Sequence, residues 1–139
     1  MEFQKLVCDI EKEFFNEIFA SIQYKIDSRN FSGDKKMKKE LLKHSNEEYK
    51  HAMLLCELLH HFPSFINYKR KSLNYQDNDE EIIKRNLNDE IDAINTYTLL
   101  LDKFPKESGV YKTIESILKD EIEHKNDFVE FLKSGLHKK

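Results

Sequence analysis

Displaced by 73 residues, the chain matches itself at its least ordinary positions: Glu17 falls on Glu90, Ala20 on Ala93, Tyr24 on Tyr97, Phe31 on Phe104, Glu48 on Glu121 and His51 on His124. Each half therefore reads E-x-x-A-x-x-x-Y, then E-x-x-H, whose glutamate stands 31 residues after the first. A chain repeated in this way is two related helix hairpins. They pack about a pseudo-twofold axis if each contributes half of one site.

Apolar residues recur at steps of three and four along four segments, roughly 4–30, 35–62, 78–104 and 109–133, which is the helical period. Only 3 Gly and 2 Pro interrupt a chain that is 35% charged, as expected of long amphipathic helices and not of many short strands. Phe31-Ser32-Gly33-Asp34 reads as a tight turn with Asp34 capping the second helix, and Phe104 to Gly109 as a second short turn. Between the second and third helices lies a polar stretch from Phe62-Pro63 to Asp77, long enough to cross a bundle. Short, long, short connections predict an all-α, antiparallel four-helix bundle with one long crossover. At 139 residues, one domain is expected over 1–139, built of hairpins at about 4–62 and 78–133.

The stripes that should form the core contain charge. The second helix aligns Met37, Leu41, His44, Glu48, His51, Leu55, Leu58 and Phe62, and the fourth aligns Ile114, Ile117, Glu121, His124, Phe128 and Phe131. An uncompensated carboxylate there costs several kcal/mol or is neutralised, and a metal cation compensates it economically. Glu and His three apart share a helical face, so two E-x-x-H motifs plus Glu17 and Glu90 supply six ligands for two cations. Four carboxylates and two imidazoles suit iron or manganese better than structural zinc. The chain carries its own control in Glu57-x-x-His60: Glu57 lies half a turn round the helix from Glu48, and the residue 31 positions earlier is Ile26. Glu57 and His60 are expected at the surface.

With these motifs the chain resembles the ferritin-like superfamily, in particular bacterioferritin and the helical domain of rubrerythrin, over essentially its whole length. Glu17-Ile18-Phe19-Ala20-Ser21-Ile22-Gln23-Tyr24 is similar to the first-helix motif of bacterioferritin, and Ile117-Leu118-Lys119-Asp120-Glu121-Ile122-Glu123-His124 to its fourth-helix motif. The resemblance implies two iron ions, with manganese as the substitute. It makes Glu17 and Glu90 terminal ligands, Glu48 and Glu121 bridges, and His51 and His124 one nitrogen for each metal. Tyr49 stands where a haem-binding bacterioferritin has its axial methionine, so haem is not implied. The extra third-helix carboxylate and Cys-rich tail of rubrerythrin have no counterpart, and a ferritin fifth helix is not expected after Gly135.

Neighbouring residues have their own readings. Tyr24 and Tyr97 follow their glutamates by two helical turns, and each is expected to orient the terminal Glu of the opposite half through its hydroxyl. His44 pairs in the repeat with Ile117 and reads as a core histidine; Glu13 pairs with Asn86 and reads as a solvated or capping residue. Ile10, Phe14, Leu101 and Phe128 read as core. Phe15, Phe19 and Leu54 read as exposed apolar residues, which predict a homodimer or small homo-oligomer.

A net charge of −3 and pI near 6.1 argue against nucleic acid as a partner, and the runs Lys35-Lys36 and Lys69-Arg70-Lys71 read as solvated turns. Acids near the N-terminus oppose a signal peptide, no apolar run has the length of a membrane span, and Cys8 and Cys56 form no framework. A soluble cytoplasmic protein is expected. Its expected activity is that of a di-iron oxidoreductase, ferroxidase or peroxidase in type, taking iron and O2 or hydrogen peroxide. Sequestration of metal without turnover and oxygenation of an organic substrate are the alternatives, the latter requiring an apolar pocket beside the metals.

Overall fold

The computed structural model describes residues 2–62, 73–75 and 78–134, and its elements are α1 (Glu2–Asn30), α2 (Lys35–Leu59), α3 (Asp79–Leu101) and α4 (Gly109–Ser134). The starts of α2, α3 and α4 follow from side chains that satisfy free helix N–H groups. Asp34 accepts from the Lys36 amide at 2.7 Å, Asn78 from the Glu81 amide at 2.9 Å, and Ser108 from the Tyr111 amide at 3.1 Å. Three acids, Asp79, Glu80 and Glu81, occupy the first turn of α3, where the helix dipole favours them.

Two helices end three residues before the apolar period does. At α2 the Phe62 amide bonds the Leu59 carbonyl, and at α3 the Phe104 amide bonds the Leu101 carbonyl, so the backbone tightens to the i→i+3 pattern. Each phenylalanine precedes a proline in the sequence, and that position disfavours the α conformation.

The α1–α2 turn sits against the start of α3. Asp79 accepts from the Ser32 amide at 3.0 Å, and a Cβ on Gly33 would lie 2.9 Å from Asp79 Oδ2, so a larger residue there would push the Asp79 carboxylate aside. Phe31 also meets Phe131 edge-on at the end of α4, while Phe3 meets Phe62 at the opposite end of the bundle. Hence α2 finishes at the end remote from where α3 begins, and the connection between them spans the bundle. Within it, most of the stretch from 63 to 77, including Lys69-Arg70-Lys71, lies outside the described residues. Asn74 exchanges two 2.8 Å hydrogen bonds with the Gln23 side chain, fixing that point to α1.

Two apolar clusters flank a polar layer. One, nearer the α1–α2 turn, contains Tyr24, Phe31, Met37, Leu41, Ile82, Ile83, Phe128 and Phe131; the other contains Ile10, Leu55, Tyr97, Leu100, Ile114 and Ile117. Through the 73-residue shift, Tyr24, Leu41, Ile83 and Phe128 correspond to Tyr97, Ile114, Ile10 and Leu55, so the clusters are repeats of one another. Phe14 and Leu101 pack on the second cluster from partly buried positions. Phe15, Phe19 and Leu54 are half-buried instead of exposed: Phe15 meets Phe14 at a 5.1 Å ring separation, Phe19 lines a cavity, and Leu54 packs on the second cluster.

Candidate metal centre

Between the clusters, α1 contributes Glu17, α2 Glu48 and His51, α3 Glu90, and α4 Glu121 and His124, none more than 3% exposed. They form two groups, Glu17-Glu48-His51-Glu121 and Glu48-Glu90-Glu121-His124, whose donor atoms lie within 4.8 Å of one another. Glu48 and Glu121 belong to both groups. His51 Nδ1 stands 3.3 Å from Glu17, 3.5 Å from Glu48 and 3.4 Å from Glu121. His124 Nδ1 stands 3.2 Å from Glu48, 3.2 Å from Glu90 and 3.3 Å from Glu121. Bonds of about 2.1 Å to one ion would separate adjacent ligand atoms by about 3.0–3.4 Å, so these spacings match the edges of coordination polyhedra.

Electrostatics give the same answer. Burial, reinforced by the charges of Glu121, Glu17 and Glu90, pushes the Glu48 carboxyl well above the carboxylate range. Burial and Glu121 push Glu90 up to about 8 against the pull of His124, and burial and Glu17 raise Glu121. Of the four, only Glu17 is lowered, because burial is outweighed by the neighbouring Glu48, His51 and Tyr97. Although burial opposes it, surrounding carboxylates push His51 up to about 9 and His124 up to about 12. Even so, Glu48 Oε1, Glu121 Oε1 and His51 Nδ1 are buried without a hydrogen-bond partner. Buried polar atoms that converge and remain unsatisfied are costly, and a cation is the partner that this oxygen and nitrogen set fits.

The tyrosines cross between halves: Tyr24 donates to Glu90 at 3.0 Å and Tyr97 to Glu17 at 2.7 Å. Glu57 and His60 are exposed, away from this layer. His44 is 1% exposed, as a core histidine should be, but it contacts Asp127 and Glu40. Glu13 departs from the solvated reading; it is buried, accepts from the Asn16 amide group at 3.3 Å and lines a cavity of about 180 Å³ that reaches Glu17, Glu48, Glu90 and Glu121.

Two acids were not singled out by sequence reasoning. The outer nitrogen of His51 is 2.8 Å from Asp120, and that of His124 is 3.0 Å from Glu47. Each pairing joins α2 to α4, and each acid directly precedes a shared glutamate. The repeat contained the signal, since Glu47 falls on Asp120 under the 73-residue shift.

A helical bundle with a layer of carboxylates and imidazoles between two apolar plugs defines a class of metal-binding four-helix proteins. Comparison of family patterns identifies the family: residues 9–135 match the ferritin-like domain, and the chain belongs to that family. Its structure is similar to that of the bacterioferritin-related protein from Bacteroides fragilis, described as a dodecameric thioferritin, with a TM-score of 0.78 and 20% sequence identity over 93% of this chain and 84% of that one. At that identity the likeness concerns the fold. No curated protein sequence matches the chain.

Proposed function

We propose that the chain binds two iron ions, with manganese able to replace them, and oxidises Fe(II) with O2 or hydrogen peroxide. The observation that carries this reading is the pair of donor groups sharing Glu48 and Glu121, with the facing atoms of both glutamates unsatisfied. Glu48 and Glu121 bridge, Glu17 and His51 complete one site, and Glu90 and His124 complete the other. Two Fe(II) ions held together supply the two electrons that convert peroxide and two protons to water, or O2 and two protons to peroxide.

The protein's part is positioning. Tyr97 and Tyr24 hold the terminal carboxylates Glu17 and Glu90 by hydrogen bonds from the opposite half. Asp120 and Glu47 fix the planes of His51 and His124, so each ring presents Nδ1 to the centre. The small cavity beside the glutamates gives access from the α1 and α3 side, and Glu13, Asn16, Gln23, Arg85 and Asp89 make much of its wall polar or charged. At about 180 Å³ the cavity has room for ions and small oxidants.

The direct test is anaerobic loading with Fe(II), followed by rapid mixing with O2 and, separately, with peroxide. Oxidation of two irons per chain in one kinetic phase is expected. Retention of Fe(II) against both oxidants would leave the chain a metal carrier. Among the described residues no helix is long and apolar enough to cross a membrane.

A further inference from the structure

The 73-residue repeat fails at three residues that come together in space. His44, Asp127 and Glu40 correspond to Ile117, Leu54 and Thr113, and in the other half Ile117 and Leu54 belong to the apolar cluster. At two of the three positions the other half thus packs hydrocarbon, so the fold has no need of His44 and Asp127 at this level. His44 Nε2 lies 3.3 Å from Asp127 Oδ2 and 3.8 Å from Glu40 Oε2, and the three donors fall within 4.8 Å of one another.

The imidazole is held rigidly. It stacks on His124 at 3.9 Å and meets Tyr24 and Phe128 edge-on at 5.6 and 5.2 Å. At 1% exposure the ring makes one hydrogen-bond contact, between Nε2 and Asp127. Packed on three sides, the ring directs Nε2 toward two carboxylates that are 30% and 45% exposed. Asp127 and Glu40 themselves line a groove of about 490 Å³ between α2 and α4, where five carboxylates face two lysines. A buried imidazole nitrogen, two accessible carboxylates and an acidic approach suit a first-row divalent cation.

We propose that Glu40, His44 and Asp127 form a third divalent-cation site, one ring away from the proposed metal pair and open to the groove between α2 and α4. Two of its three protein donors are solvent-accessible, so it binds more weakly than the buried pair and completes its coordination with water. The stacked His44 and His124 rings place it beside the inner centre, where it can hold an ion in transit.

Crystals soaked in Mn²⁺ and examined by anomalous scattering test this by position. A peak bonded to His44 Nε2 and both carboxylates is expected, and it should vanish in the Glu40→Gln/Asp127→Asn variant while peaks at the inner centre remain. In solution, equilibrium dialysis should show Mn²⁺ affinity at the third site reduced tenfold or more by the same isosteric changes, with the two tighter ions unaffected. Inner peaks with none at His44, or a third peak indifferent to the double variant, would overturn the inference. A peak at His44 without inner ones would uphold it and overturn the di-metal reading instead.

Discussion

Removing one imidazole should not affect both ions equally. His51→Ala and His124→Ala should each reduce tightly bound metal from two ions per chain toward one, measured by elemental analysis after dialysis. Glu48→Ala or Glu121→Ala should abolish paired oxidation, because those carboxylates belong to both donor groups, whereas Glu17→Ala and Glu90→Ala should leave one ion that oxidises slowly. Calorimetric titration with Fe(II) under argon distinguishes the two outcomes, and equal loss in all four variants would mean that neither glutamate bridges. Asp120→Ala and Glu47→Ala should weaken affinity about 10–100-fold with every inner donor still present. Protons compete for the same atoms: Glu90 is pushed up to about 8 and His51 up to about 9, so an incoming ion displaces protons. Affinity for Mn²⁺ should therefore rise from pH 6 to pH 8 with measurable proton release, and a pH-independent Kd would contradict this. The six inner residues were legible because the repeat duplicates them on buried stripes. Asp120 and Glu47 were duplicated too, yet they sit one residue off those stripes, where a single helix cannot reveal that they face the partner helix's imidazole. Glu40 and Asp127 meet His44 only through packing between α2 and α4, which no spacing along either helix discloses.

At the level of elements, the apolar period located all four helices, and the prolines explain why two of them stop early. Asp34→Ala should lower stability by about 1 kcal/mol through loss of its bond to the Lys36 amide, as measured by urea unfolding. Ile83 is fully buried in the cluster near the α1–α2 turn, so Ile83→Ala should cost about 2–5 kcal/mol by leaving a cavity. Gly33→Ala tests the contact between that turn and α3, since the added methyl would meet Asp79 Oδ2 at 2.9 Å and must displace it. Sequence spacing predicted a turn here but not this neighbour; glycine records a close approach without naming what approaches. The same limit applies to Asp27, which is buried where Arg85 donates to it at 2.9 and 3.0 Å and Asn86 at 2.8 Å. Its partners lie 58 and 59 residues away, beyond the reach of local pattern.

For the whole molecule, assembly is the open surface question. The large apolar side chains exposed on α1 and α2 include Ile22, Leu42, Tyr49 and Met53, a different set from the half-buried Phe15, Phe19 and Leu54 that sequence favoured. A twofold dimer through α1 and α2 is expected, with light scattering giving twice the 16.7 kDa chain mass and Tyr49→Arg shifting it to monomer. A twelve-chain particle would overturn the dimer. The crossed contacts have a consequence in time. Each hairpin is local in sequence and can form early, yet Tyr24 reaches Glu90, Tyr97 reaches Glu17, His51 reaches Asp120 and His124 reaches Glu47, always from one hairpin to the other. A growing or refolding chain therefore has no high-affinity trap until α4 has docked on α2. On the proposed function, redox-active metal would be admitted only to a finished scaffold, and the rate of ion capture after dilution from denaturant should report the last folding step and not the first.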